Sequence, residues 1–315
     1  MAIKPKGTVP FGPYRTWYQV TGDLQSEQPA LVVVHGGPGS THDYLKNLTQ
    51  LAEHTGPVVL YDQLGNGGST HLPDKGPDFW TPDLFADELD NLLKQLGIDD
   101  YVLFGQSWGG LLVTKFAAGR PAGLRGLVIA NAPASYPLWL EEAKRLRADL
   151  PPGVNETLLR HEAAGTTDSD EYHHAMRPFY EKHVCRLKPW PRDYLASFYE
   201  VYNDPTVYYA MNGPSEFHVN GTLKDWSVTD YCPQVEVPTL LISGRYDEAT
   251  PATVQPFQDL IPGDVRWEIF EESSHLPHLE EPELFQQVMR DFLGSLADGT
   301  AGGARTKETV GHGRH

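Results

Sequence analysis

The 315-residue chain is long enough for one large α/β domain or a core with an insertion. Its 40% hydrophobic and 21% charged content is that of a globular protein. Lys plus Arg number 25 against 42 Asp plus Glu; the resulting net charge of −17 argues against nucleic-acid binding, which rests on neutralising phosphates. No apolar run reaches the roughly 18 residues of a membrane span; Met1 to Lys6 lacks a signal-peptide core, so a cytoplasmic protein without membrane partners is expected.

In chain order, residues 13–21 and 30–35 read as strands, the second continuously apolar as in a sheet covered on both faces. The Gly-rich loop His35-Gly36-Gly37-Pro38-Gly39 follows, then a predicted helix over 44–54 and a buried strand over 58–62. A Gly- and Ser-rich loop over 65–70 leads to a helix over 81–96, with Pro82 in its first turn. The apolar run 101–104 then enters Gly105-Gln106-Ser107-Trp108-Gly109-Gly110 and a helix over 111–118. Another strand covers 127–130. Strands alternating with helices at this spacing predict a parallel sheet.

The alternation stops at Asn131. From about 133 to 233 only charged, aromatic-rich helical patterns appear, over 139–150, 170–187 and 192–202, interrupted by Pro151-Pro152-Gly153 and Pro189-Trp190-Pro191. The sheet rhythm resumes with strands over 239–243 and 266–270 and helices over 253–260 and 282–296. The expected division is a core of 1–132 plus 234–297, a helical cap of 133–233, and a disordered tail of 298–315. Cys185 and Cys232 are too few for a disulfide framework, and whether they pair is left open.

Gly105, Ser107 and Gly109 spell G-x-S-x-G on a strand-to-helix turn. Such a turn strains the serine backbone, lifts its hydroxyl to the sheet edge, and needs glycines where neighbouring chains pass close. A hydroxyl needs a base and the base an orienting acid. In the order this fold requires, Asp247 follows the strand over 239–243, and His275 follows the one over 266–270. His278 is the rival base; His275 lies nearer the strand end. For the oxyanion, the N–H of Trp108 and that of Gly37, or alternatively Gly36, are the predicted donors. The Gly-rich loop is no phosphate cradle, since no Gly-Lys-Ser/Thr follows. There is no His-Glu-x-x-His, and the adjacent His173 and His174 face different sides of a helix, so no metal and no other cofactor is expected.

The set His35-Gly36-Gly37-Pro38-Gly39, Asp62-Gln63-Leu64-Gly65, Gly105-Gln106-Ser107-Trp108-Gly109-Gly110 and Gly244-Arg245-Tyr246-Asp247 resembles the proline iminopeptidase family of α/β-hydrolases, over nearly the whole chain to about residue 296. Met211 to Phe217 and Tyr246-Asp247-Glu248 resemble the branch containing tricorn-interacting aminopeptidase and L-amino acid amidases. The resemblance implies the α/β-hydrolase fold, a mostly parallel central sheet flanked by helices with an inserted helical cap. It also implies metal-free release of an N-terminal residue, often proline, from small peptides or amino acid amides.

By the same resemblance, Glu216 and Glu248 match the branch's amine-binding glutamates. Among the insertion's aromatics, Tyr180, Trp190, Tyr194, Phe198, Tyr199, Tyr202, Tyr208, Tyr209 and Phe217, only a few are expected to face substrate, since such stripes usually pack helices. The alternative keeps the triad but makes the protein an esterase, or another hydrolase of a small metabolite, that does not require a free amine. A non-catalytic binding protein on the same fold is the third reading. The sequence leaves the oligomeric state open.

Overall fold

The structure, a computed structural model, describes residues 4–297; the predicted disordered tail lies outside the described residues. Its strands are β1 (Lys6–Phe11), β2 (Tyr14–Thr21), β3 (Ala30–Val34), β4 (Val58–Asp62), β5 (Tyr101–Gln106), β6 (Leu124–Ala130), β7 (Thr239–Gly244) and β8 (Val265–Phe270). They form one sheet in the order β1-β2-β4-β3-β5-β6-β7-β8. β1–β2 and β2–β4 pair antiparallel, and every pair from β4–β3 to β7–β8 is parallel. Every residue of β3, β4 and β5 is buried, which explains their unbroken apolar sequence.

β1 is absent from the sequence-based expectation because Gly7 and Pro10 interrupt it. Both are tolerated at this place because β1 is the edge strand. The predicted helix over 44–54 is instead a 3-10 helix over Asp43–Leu51, followed by α1 (Ala52–Thr55). Leu45, Leu48 and Leu51 are all fully buried, and their three-residue spacing stacks them in one row at three residues per turn.

Between the strands run α2 (Pro82–Leu96), α3 (Trp108–Ala118) and, after β7, α9 (Pro251–Leu260). Thr81 caps α2 by accepting the Leu84 N–H at 3.1 Å, and Gly97 ends it in the left-handed conformation. Within the β6–β7 connection the described residues hold α4 (Tyr136–Ala148), α5 (Val154–Ala164), α6 (Asp170–His183), α7 (Arg192–Asn203) and α8 (Thr206–Met211), and no strand of the sheet. α5 and α8 were not foreseen: only Leu158 of α5 is buried, and α8 has just six residues between Pro205 and Asn212. The chain ends with α10 (Pro277–Glu280) and α11 (Pro282–Ala297). Ser197 of α7 docks this helical layer onto the core: its Oγ accepts the Tyr44 N–H at 3.2 Å and lies 2.9 Å from Thr41 Oγ1. Cys185 and Cys232 do not pair; both are free and buried. No helix among the described residues is long and apolar enough to cross a membrane.

Two glycines fix how closely α3 sits on the sheet. A Cβ on Gly105 would lie 2.2 Å from Gly109 O, and one on Gly109 would lie 2.2 Å from Val34 O. Both obstacles are backbone and cannot swing away. Gly109→Ala is therefore expected to cost about 3 kcal/mol or more in urea unfolding. Gly294→Ala in α11, where a Cβ meets nothing within 4 Å, should be neutral or stabilise by up to about 1 kcal/mol.

Candidate active site

Ser107, between β5 and α3, has φ 55° and ψ −124°, the strained elbow that its flanking glycines allow. Asp247 follows β7 and His275 follows β8, so all three stand beyond the carboxyl ends of parallel strands, where open α/β sheets place ligands. His275 Nδ1–H donates to Asp247 Oδ1 at 2.7 Å. Asp247 is held in turn by the Ala249 N–H at 2.9 Å and by Asn131 Nδ2 at 2.7 Å. Ser107 and His275 line one cavity. Ser107 Oγ makes no hydrogen bond among the described residues, and an unmade contact before substrate binds does not remove a candidate nucleophile.

The rival His278 is excluded by its surroundings. It is fully buried, its Nε2–H donates to the Tyr44 carbonyl at 3.0 Å, and burial pushes its pKa down to about 3. Of the two possible loop donors, the Gly36 N–H is spent on Tyr44 Oη at 2.7 Å, whereas Gly37 lines the cavity beside Ser107. Trp108, at the first position of α3, directs its N–H out of the start of the helix, where no intrahelical acceptor exists.

The remaining motif residues lock these parts together. Tyr44 donates its hydroxyl to Gln106 Oε1 at 2.5 Å, and Gln106 Nε2 donates to His275 O at 3.1 Å. The Gly36 loop, the elbow and the histidine loop thus share one hydrogen-bonded chain. His35 accepts the Gln63 N–H on Nε2 at 3.0 Å, which fixes its tautomer; burial holds its pKa near 4, so it is neutral. Gln63 in turn accepts Trp108 Nε1–H at 2.9 Å. On α10, Glu280 accepts the Ser274 and Leu276 N–H groups and so fixes the turn that carries His275.

The cavity, about 750 Å³ including its mouth, is bounded by Gly37, Ser107 and His275 on the core side and by α6, α7 and α8 above. Six of the nine aromatics named from sequence line it, more than expected: Tyr180, Tyr194, Phe198, Tyr202, Tyr208 and Tyr209. Phe217 instead packs on Phe179 and under the Arg147 guanidinium, Trp190 packs on Tyr194 and Phe198, and Tyr199 is exposed.

Glu216 and Glu248 also enter this cavity, from the segment after α8 and the turn after β7. Glu216 Oε1 accepts the Tyr208 hydroxyl at 2.7 Å, while its Oε2 has no partner. Neither oxygen of Glu248 has one, although the residue is fully buried. Among the described residues no Lys or Arg lies within 4.0 Å of either carboxylate. Burial, then the charges of Glu216 and Asp247, hold the Glu248 carboxyl well above the usual carboxylate range. Burial also raises Glu216, against the Tyr208 hydrogen bond. Apolar walls around unpartnered acids are a site shaped for a cation.

Residues 29–282 match the alpha/beta hydrolase fold family. Proline iminopeptidase of Heyndrickxia coagulans is 38% identical, over 84% of this chain and 91% of that protein. The Saccharolobus solfataricus proline iminopeptidase is 37% identical, over 90% and 89%. The chain belongs to the proline iminopeptidase family of α/β-hydrolases. The Mycobacterium smegmatis proline iminopeptidase structure superposes with a TM-score of 0.87 at 50% identity, covering 94% of this chain and 99% of that one. VinJ superposes with a TM-score of 0.91 at 70% identity, covering 92% and 98%.

As a member of the proline iminopeptidase family, the protein is a serine hydrolase of the aminopeptidase type, which accounts for a cavity holding both a serine elbow and unneutralised acids. Sequence reasoning missed Asn131, Gln106 and Tyr44. The only signals were Gln106 inside the elbow motif and Asn131 at the point where the strand rhythm fails.

A carboxyl raised in the folded state adds stability that is complete below its unfolded pKa, about 4.3, and lost as pH rises toward the folded value. Glu248→Gln removes that loss. It is expected to stabilise the fold by about 1–3 kcal/mol at pH 8 and to bring no gain at pH 4, as followed by thermal unfolding across pH.

Proposed function

We propose that this protein is a metal-independent aminopeptidase or amidase that releases the N-terminal residue, proline or another small apolar L-amino acid, from small peptides or amino acid amides. The observation that carries the reading is the pair of carboxylates Glu216 and Glu248, opening into the same cavity as Ser107 and His275, with one buried oxygen of Glu216 and both of Glu248 lacking a hydrogen-bond partner. An ester or acylated substrate brings no cation to repay the burial of those acids. A free α-ammonium brings one, with charge-assisted hydrogen bonds to both.

In this mechanism Ser107 Oγ attacks the carbonyl of the first residue while His275 Nε2 takes its proton. Asp247 holds the imidazole by Nδ1 and stabilises the imidazolium. The N–H groups of Gly37 and Trp108 receive the oxyanion, strengthened by the start of α3. His275 then gives the proton to the leaving nitrogen, and the C–N bond breaks. Water, activated by the same imidazole, attacks the acyl-Ser107 ester and releases the amino acid. Glu216 and Glu248 hold the ammonium throughout, which sets the scissile bond one residue from the chain end. The two free, buried thiols fit a reducing compartment and so a cytoplasmic site of action.

The test compares alanine and proline p-nitroanilides with their N-acetyl forms on purified enzyme. Acetylation is expected to lower kcat/KM at least 10³-fold, about 4 kcal/mol of lost transition-state binding. Equal rates on both forms would overturn the amine-directed reading. Ser107→Ala should abolish turnover of either form.

A further inference from the structure

The acids of this cavity surround the catalytic base as well as the cavity itself. His275 Nε2, the nitrogen that must take the Ser107 proton, lies 3.8 Å from Glu248 Oε1. Its other nitrogen is bound to Asp247 at 2.7 Å. Glu216 reaches the same space from the segment after α8, and Glu280 stands behind the loop on α10. His278, also on α10, is held neutral by its burial. On α6, His183 spends Nδ1–H on Tyr246 O. The Arg186 guanidinium is stacked on the Tyr246 ring, 3.6 Å from its centre, rather than on any of these acids. Among the described residues no Lys or Arg pairs with Asp247, Glu216, Glu248 or Glu280.

Carboxyl groups clustered around one imidazole, with no Lys or Arg paired to them among the described residues, favour a proton held there. Burial disfavours the imidazolium, but Asp247, then Glu216 and Glu280, raise the proton affinity of His275 above that of an ordinary imidazole. A histidine that carries a proton on Nε2 cannot take one from Ser107.

Resting on the amine-directed reading above, we propose that the substrate's ammonium activates the base that cleaves it: on binding between Glu216 and Glu248 it displaces the proton shared by these acids and His275 Nε2, and so presents Ser107 with a neutral imidazole. The balance is simple. One cation enters the acid cluster, one proton leaves it for solvent, and no covalent bond changes. The ammonium, standing beside Glu248, also disfavours recharging of the imidazole by direct repulsion until the Ser107 proton arrives with the developing oxyanion. Selectivity for a free amine then lies partly in kcat, because a neutral analogue that enters the cavity meets a base that is still protonated.

The probe is diisopropyl fluorophosphate, which carries no ammonium and reports the reactivity of Ser107 directly. Its labelling rate is measured from pH 5 to 9, with and without saturating ethylamine as a minimal ammonium. Saturation is set by competitive inhibition of alanine p-nitroanilide hydrolysis. In the wild type, amine is expected to lower the midpoint of the labelling profile by about one pH unit, which is up to about tenfold faster labelling on the acid limb. The high-pH plateau separately reports any steric hindrance by the amine. Calorimetry in buffers of different ionisation heat should show proton release on ethylamine binding. In Glu248→Gln both the midpoint shift and the proton release should be lost, with circular dichroism and cooperative thermal unfolding showing that the variant is folded.

A wild-type midpoint that stays put under inhibiting ethylamine overturns this inference and leaves the aminopeptidase reading intact. A midpoint shift that survives in Glu248→Gln overturns the role given to Glu248. Ethylamine that neither inhibits nor shifts the profile, together with equal cleavage of acetylated anilides, removes the amine-directed reading itself.

Discussion

The close approach of α3 to the ends of β3 and β5 is the constraint on which the site depends. Gly109 touches Val34 O and Gly105 touches Gly109 O at distances where no Cβ fits. That contact forces the chain to reverse within one residue, and Ser107 takes the strained φ of 55° as a consequence. The same geometry brings the start of α3 beside the loop after β3, where Gly37 lines one cavity with Ser107. The strain is maintained by the buried strands on either side, which belong to the most apolar stretches of the chain.

Around that fixed point the polar groups divide into two kinds. His35, Gln63, Gln106, Tyr44 and Asn131 are buried, and Glu280 is half-buried, with partners that connect loops far apart in sequence. Apart from Asn131 Oδ1, which has no partner, they form connected hydrogen-bonded networks, and rigidity is what such networks supply. Glu216 and Glu248 are the opposite, buried acids with oxygens left open. A fold does not keep that cost for its own sake. The contrast within one site separates residues whose polar atoms bridge loops from acids whose oxygens are left open.

Ser107 and Asp247 were legible in the sequence because each follows a buried, largely apolar run, which marks the end of a parallel strand without any knowledge of its pairing. His275 instead follows Val265–Phe270, a partly buried strand that Arg266 and Glu268 interrupt, and was placed by chain order. It was separated from His278 by lying nearer the strand end. Asn131 was not legible as a partner of Asp247, 116 residues away, since nothing local announces a side chain that serves another loop. β1 escaped because Gly7 and Pro10 are permitted only by its edge position, which is a property of the sheet. The 3-10 segment escaped because Leu45, Leu48 and Leu51 fit a three-residue and a 3.6-residue period almost equally over two turns. Glu216 and Glu248 entered through family resemblance. Their missing partners, the feature that gives them meaning, exist only in three dimensions.

Placement of the two acids on different parts of the chain carries a further consequence. Glu248 is adjacent in sequence to Asp247, so its position is tied to the base, whereas Glu216 follows α8, one of the helices above the cavity. A cation bridging them would join these helices to the loop after β7 and offset the burial that raises both carboxyls, together with the Glu216 and Asp247 charges that raise Glu248 further. One buried acid would suffice to attract an amine. Two acids on separate elements would make charge balance and orientation of a bound amine depend on the same ion.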